Sequence, residues 1–525
     1  MSKKIFKYAK VIGSAGCGKT AHLMRLVDAG VRKFGAGRVG AVSYTKTAVE
    51  EIRERISRDL SVPKDTADNV RTIHSHCFKL LGLRKDQVAD EKKAKWNLDN
   101  PDLQLPLKHL DPEEGWDSDW NRDDNYRLHE TQNILRNRMV PKERWPMDVR
   151  HFHNRWDKWC FHNDLTDYTG MLEKVYERRL TPDIDVLFVD EAQDTSPLSM
   201  AIMNVWSEEL ENTTMVGDSL QAIFRFAGSV PEVFINYKHD HLKVLEQSYR
   251  VPRAVHAYAR RIAEQITNRD YEITYRPTGV EGRVFEATEP DLSLPGEHMI
   301  LVRCNVHIKR WKQFLLENST TWHNPYRPEN ADWNPTETKL WKAARTYIAL
   351  KDGLEITFGE LSRMVREMRA RDNLTHGTQA SFDDRLEEIQ GKLYGEKIDI
   401  FTLSTLGIFK DEFMSFRKPV QEVFKLKGQN GELMRLVGEI DIKGKPRIMI
   451  GTCHSAKGAE CDHVWVDTRT SRKIETAISQ GWRDGDPTAF DDECRVAYVA
   501  CTRARRTLGL LHSGHEKMNR VLPNI

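Results

Sequence analysis

Eight consecutive residues, Gly13-Ser14-Ala15-Gly16-Cys17-Gly18-Lys19-Thr20, do most to limit what this chain can fold into. They fit the spacing G-x-x-x-x-G-K-[ST], follow an apolar run that reads as a strand over residues 6–12, and open a helix-compatible segment. Glycines at this spacing let backbone N–H groups turn inward around phosphate oxygens. Lys19 then supplies a point charge for the outer phosphates, and the Thr20 hydroxyl can hold Mg²⁺. A glycine-rich turn that merely precedes a lysine would lack the flanking strand and helix. Cys17 reads as a small residue filling a variable position rather than as an oxidation-sensitive thiol.

Further β-like runs at 39–44, 184–189 and 213–216 alternate with helical patterns, the signature of a parallel sheet wrapped by helices. In such a fold ligands gather beyond the carboxyl ends of the strands, so the chemistry is expected just after each run. Two regions break the rhythm and read as insertions. Residues 85–179 hold six of the 13 tryptophans and an acidic stretch from Asp111 to Asp124. Residues 332–442 mix helical patterns, such as Glu360–Asp372, with Thr- and Lys-rich segments. At roughly 100–200 residues per domain, a chain of 525 residues accommodates three or four domains.

The charge balance, 80 Lys+Arg against 78 Asp+Glu, means that a polyanion must be held by a local groove rather than by a globally basic surface. No apolar run approaches the roughly 18 residues of a membrane span, and the amino-terminal residues lack a secretory apolar stretch. A soluble, cytoplasmic protein is expected. The eight cysteines form no C-x-x-C pair, so reduced thiols and no structural metal are expected.

A second motif, Val186-Leu187-Phe188-Val189-Asp190-Glu191-Ala192-Gln193-Asp194, delivers adjacent carboxylates to the end of an apolar run. Asp190 is placed to bind Mg²⁺, and Glu191 can orient and polarise the water that attacks the γ-phosphorus. Alone the pair could be a solvated loop; combined with Lys19 it makes a hydrolytic site.

With these motifs in place the sequence resembles the UvrD/Rep/PcrA-type superfamily 1 DNA helicases. Segments 41–48, 72–74 (Thr72-Ile73-His74), 216–226, 247–250 (Gln247-Ser248-Tyr249-Arg250), 452–460 and 496–504 complete the series in family order. The resemblance implies an α/β fold of two RecA-like P-loop domains with parallel sheets, each carrying an inserted, mainly helical subdomain. The first core domain would combine residues 1–84 and 180–254 with 85–179 inserted. The second would combine 255–331 and 443–525 with 332–442 inserted.

By the same resemblance Lys19, Asp190, Glu191, Gln221, Arg250 and Arg503 are catalytic. Gly13, Gly16, Gly18, Lys19, Thr20, Tyr249 and Glu460 bind the nucleotide, and Thr20 and Asp190 hold the metal. Tyr44, Thr72, His74, Phe224, Phe226 and His454 contact DNA. A glutamine suits γ-phosphate sensing because its amide both donates and accepts, and aromatic faces suit stacking on bases. Trp156 and Trp159, three apart, read more readily as a buried helix face than as a DNA-facing patch.

The implied function is an Mg-ATP-driven helicase or translocase moving 3′ to 5′ on single-stranded DNA and unwinding duplex. The alternative is a nonprocessive translocase or motor subunit. Implied partners are single-stranded and tailed duplex DNA and a separate nuclease or replication or repair protein, with the chain a monomer or weak dimer. Two residues depart from the family pattern: Leu220 and Ala227 stand where relatives usually carry an acidic residue and an arginine.

Overall fold

The computed structural model describes residues 6–43, 46–60, 68–107, 124–272, 274–325, 327, 330–331, 333–376, 397–512 and 519–525. Two six-stranded sheets organise them. The first contains β1 (Tyr8–Gly13), β2 (Val39–Val42), β3 (Val70–Arg71), β4 (Val186–Val189), β5 (Asn212–Gly217) and β6 (His241–Leu245), in the order β3-β2-β4-β5-β1-β6. The second contains β7 (Arg283–Ala287), β8 (His298–Val302), β9 (Trp322–His323), β10 (Ile448–Thr452), β11 (Cys461–Asp467) and β12 (Ala504–Leu511), in the order β7-β12-β11-β8-β10-β9. Every pairing within both sheets is parallel.

The central strands are short and mostly apolar because both faces are covered, whereas the edge strands β6 and β7 are partly exposed; the period-2 alternation of side chains divides each sheet's residues between two cores. In the first sheet Val11 and Phe188 join one apolar cluster while Ile12 and Leu187 join another. In the second, Ile300 and Trp465 face one cluster and Met299 and Val464 the other. The expected parallel α/β architecture is therefore present twice. Among the described residues no helix is long and apolar enough to cross a membrane.

Between β3 and β4 the described chain is helical, including helices Met147–His162 and Tyr168–Glu177. Trp96, Phe152, Trp156 and Trp159 pack together in its core, as the three-residue tryptophan spacing predicts. Asp167 organises this insert. It caps Tyr168–Glu177 by accepting from Gly170 N–H at 2.6 Å, accepts from Arg136 at 2.6 and 3.0 Å, and accepts from Trp156 Nε1 at 2.7 Å. Most of the Asp111–Asp124 stretch lies outside the described residues.

The second insert, between β9 and β10, is also mainly helical and packs Trp341, Tyr347, Phe413 and Phe424 into one cluster. Its helix Phe358–Glu367 begins at a capping box, with Thr357 and Glu360 each accepting from the other's backbone N–H. It ends before the Asp372 boundary expected from the sequence, the chain breaking at Met368 and resuming as the short turn Ala370–Asn373.

Candidate nucleotide and nucleic-acid site

The turn after β1 leads directly into helix Lys19–Phe34. Gly16 and Gly18 take φ of 71° and 72°, the left-handed region that favours glycine. A Cβ on Gly16 would also lie 2.5 Å from the Arg250 Cβ. These glycines thus allow both the turn and the close approach of the Arg250 segment. Lys19 Nζ donates to Gly13 O at 3.0 Å, folding the ammonium back over the loop. Cys17 is buried, and burial pushes its thiol up to about 12, which leaves it protonated and unreactive.

At the end of β4, Glu191 adopts φ 50° and ψ 40°, a left-handed conformation rare for an L side chain. The sharp turn concentrates carboxylates: Asp190 and Asp194 are buried and Glu191 is half-buried, and Asp218, after β5, is buried too. Burial and the neighbouring Glu191 raise the Asp190 carboxyl well above its ordinary range. Burial opposes charge on Glu191 too, but Lys19, Lys457 and the Gln193 amide outweigh it and hold that carboxyl low. Among the described residues no group of three or more His, Cys, Asp or Glu side chains is arranged to hold a metal ion by itself; Asp190, close enough to Lys19 to feel its charge, would suit only a cation that keeps several waters and takes its other ligands from phosphates.

Asp218, at the end of β5, accepts from Gln221 Nε2 at 2.6 Å. Gln221 Oε1 in turn accepts from Arg503 Nη2 at 3.1 Å. Arg503 is 1% exposed and is steadied by donating to Val499 O at 2.8 Å and Ala459 O at 3.2 Å. Arg250 Nε pairs with Glu460 Oε2 at 2.7 Å. Beside them Tyr249 donates from its N–H to Gly16 O at 2.9 Å and leaves its side chain open, the residue being 77% exposed. A cavity of about 350 Å³, lined by Gly18, His22, Arg25, Gln247 and Tyr249 among others, adjoins the loop.

On the second sheet's side, two of the sequence-predicted residues stand just before strands. Glu460 immediately precedes β11 and Arg503 immediately precedes β12. The second sheet thus brings the amino-terminal ends of these two strands to the carboxyl ends of the first. The approach sets Arg503 from the second sheet's side against Gln221 from the first.

The residues expected from the sequence to contact DNA fall into separate groups. Phe226 and His454 meet edge-to-face at 5.1 Å between ring centroids, and Phe224 lies 6.0 Å from Phe226. Lys457 Nζ sits 5.0 Å over the Phe224 ring. Burial holds His454 neutral, pushing its imidazole well below the ordinary value. Thr72 and His74 lie apart from these rings in the described contacts: the Thr72 hydroxyl caps helix Ile73–Leu80 by accepting from Ser75 N–H at 3.3 Å, and His74 packs on Tyr168. Tyr44 lies outside the described residues.

Several residues at this centre escaped sequence reasoning. Lys457 pairs with Asp194 and donates to Gln221 O at 2.8 Å. Gln193 donates to Glu191 while accepting from Asp218 N–H at 2.9 Å. Both belong to motifs recognised as wholes, so their identity was visible and their role was not. Arg225 pairs with Glu232 and Asp492, each at 2.8 Å. Leu220 is fully buried in the apolar cluster containing Val251 and Val255.

Paired parallel sheets meeting at one phosphate loop define a P-loop protein of the two-RecA-domain class. Two family models match: the UvrD/REP helicase N-terminal domain over residues 3–242 and the UvrD-like helicase C-terminal domain over residues 381–513. The chain belongs to the UvrD/Rep-type helicase family. It is 25% identical over 293 residues to a probable DNA helicase II homolog of Mycoplasma genitalium, covering 49% of this chain and 40% of that one. It is also 25% identical over 353 residues to the ATP-dependent DNA helicase UvrD2 of Mycobacterium tuberculosis, covering 61% and 46% respectively. The matches thus span less than half the length of these relatives. Among solved structures an Arterivirus nonstructural protein 10 (helicase) covers 98% of this chain and 62% of its own at 10% identity and TM-score 0.35, a likeness too slight to place residues.

Proposed function

We propose that this chain is an Mg-ATP-driven motor that translocates 3′ to 5′ on single-stranded DNA and unwinds tailed duplex. The observation that carries the proposal is the Gln221–Arg503 contact, which puts an arginine from the second sheet's side against the first sheet's γ-phosphate-sensing candidate. In this reading the core domains are residues 1–84 with 180–254 and residues 255–331 with 443–525, with 85–179 and 332–442 inserted.

Thr20 and Asp190 would hold Mg²⁺, which when bound neutralises charge on the phosphate oxygens. Lys19 and the Gly13–Gly18 backbone bind the triphosphate, Tyr249 stacks on the base, and Glu460 lies toward the sugar. Glu191 orients the attacking water and accepts its proton. Arg250 and Arg503 balance the charge that develops as the terminal phosphoryl group leaves. Both sides then grip one anion, so its loss weakens their association and alternates the hold on a strand lying over Phe224, Phe226 and His454.

ATP turnover measured with single-stranded DNA, single-stranded RNA, duplex DNA and no polymer tests this reading, with marked stimulation expected from single-stranded DNA. Strand displacement on a 3′-tailed duplex should accompany it. Streptavidin displacement from a single strand without duplex unwinding would instead identify the nonprocessive translocase, and no stimulated turnover would refute both.

A further inference from the structure

Tyr271 belongs to none of the motifs legible in the sequence, yet its hydroxyl stands between the phosphate loop and the sensor. It donates to Asp218 Oδ1 at 2.8 Å and lies 2.8 Å from Ser14 Oγ. A phenol carries one proton, so Ser14 donates to Tyr271 and Tyr271 donates to Asp218. Leu220 N–H and Gln221 Nε2 also donate to Asp218, which therefore serves as an acceptor throughout. Gln221 must consequently turn its NH₂ toward Asp218 and its carbonyl toward Arg503. The result is an unbroken chain of five side chains, Ser14, Tyr271, Asp218, Gln221 and Arg503, with every direction fixed.

Tyr271 is held by a pinned backbone segment. Its neighbour Asp270 pairs at 2.6 Å with Lys10 of β1, both groups buried, and accepts from Ser219 Oγ at 2.6 Å. Thr267 and Asn268 donate their N–H groups to Asp491, each at 2.9 Å, and Asn268 O accepts from Arg495 Nη2 at 2.8 Å. Asp491 and Arg495 lie on helix Thr488–Cys501, which leads into Arg503. The segment 267–271 therefore touches β1, the turn after β5 and the helix that delivers the arginine.

We propose that Tyr271 is a positioning residue for phosphoryl transfer, its hydroxyl tying the phosphate loop at Ser14 to the orientation in which Gln221 and Arg503 meet the terminal phosphate. This deepens the hydrolytic reading above and rests on it. Tyr271→Phe keeps the ring and removes only the link. It should lower the kcat of DNA-stimulated ATP turnover about tenfold while changing KM for ATP by no more than about twofold. Because Tyr271 acts through Gln221, Tyr271→Phe combined with Gln221→Ala should be no slower than Gln221→Ala alone.

Unchanged kcat in Tyr271→Phe, or losses that multiply in the double variant, would overturn the proposal while leaving the hydrolytic site intact. Absence of stimulated turnover in the unaltered protein would overturn both. If Tyr271→Phe does not fold, Ser14→Ala cuts the same chain from its other end. It must then reproduce the kcat loss and the non-additivity with Gln221→Ala, and failure to do so counts against the proposal.

Discussion

Arg503 Nη2 donates to Gln221 Oε1 at 3.1 Å across 282 residues of sequence. An arginine at the head of β12 is thereby fixed against the turn after β5, at the proposed position of the terminal phosphate. Arg503→Ala is expected to lower ATP turnover by about 10³-fold or more, as removal of an arginine finger does. Nucleotide affinity should change far less, since Lys19 and the glycine-rich turn remain. Steady-state kinetics together with binding of a fluorescent nucleotide separate the two effects.

Lys457 offers a test of the contact between the two sheets. Its ammonium faces Asp194, and both groups are almost fully enclosed. Lys457→Met leaves the Asp194 carboxylate without its partner, and a broken buried pair costs about 3–5 kcal/mol. A lower thermal midpoint and weaker ATP turnover are expected, the midpoint being read by calorimetry. Asp194→Asn/Lys457→Met should recover part of the stability, because the buried Asp194 carboxylate is then removed together with its partner, while Glu191 keeps Lys19 and the Gln193 amide.

What the sequence made legible was local. Gly13 to Thr20 and Asp190-Glu191 stand out in the sequence because each motif gathers its groups on one short turn after a strand, and the strand–helix alternation follows from apolar runs with both faces covered. Lys457, Asp194, Tyr271 and Arg225 were not assigned roles because their meaning depends on partners far along the chain; Lys457 and Asp194 are 263 residues apart. Leu220 and Ala227 look like lost charges in the sequence. In the structure Leu220 packs in the apolar contact between the two halves, and Arg225 forms ion pairs with Glu232 and Asp492 nearby.

The first helical insert carries its own pH dependence. Burial alone would raise the Asp167 carboxyl, but the Arg136 guanidinium and two further donors, the Gly170 N–H and Trp156 Nε1, hold it well below the usual range. A depressed folded-state value means that this stabilisation is fully present above the unfolded value of about 4 and is lost as pH falls through the lower folded value. Urea unfolding followed by tryptophan fluorescence should show a midpoint that declines on acidification below about pH 4. Asp167→Asn should lower the midpoint at neutral pH and flatten that decline.

Phe226 and His454 form the aromatic contact proposed to receive a base. Replacing Phe226 by Ala should weaken single-stranded DNA binding by about 1–3 kcal/mol, the range for loss of one base stack. Fluorescence anisotropy with an oligonucleotide, at one fixed salt concentration, reads the change. Nucleotide affinity without DNA should be unaltered, which separates loss of a strand contact from collapse of the site.

The most direct test of the central claim is ATP turnover by the unaltered chain and by Lys19→Ala, each measured with and without single-stranded DNA. Strong stimulation by DNA in the former, and loss of hydrolysis with retained DNA affinity in the latter, are the predicted results. Hydrolysis indifferent to DNA, or stimulated turnover persisting in Lys19→Ala, would contradict the account.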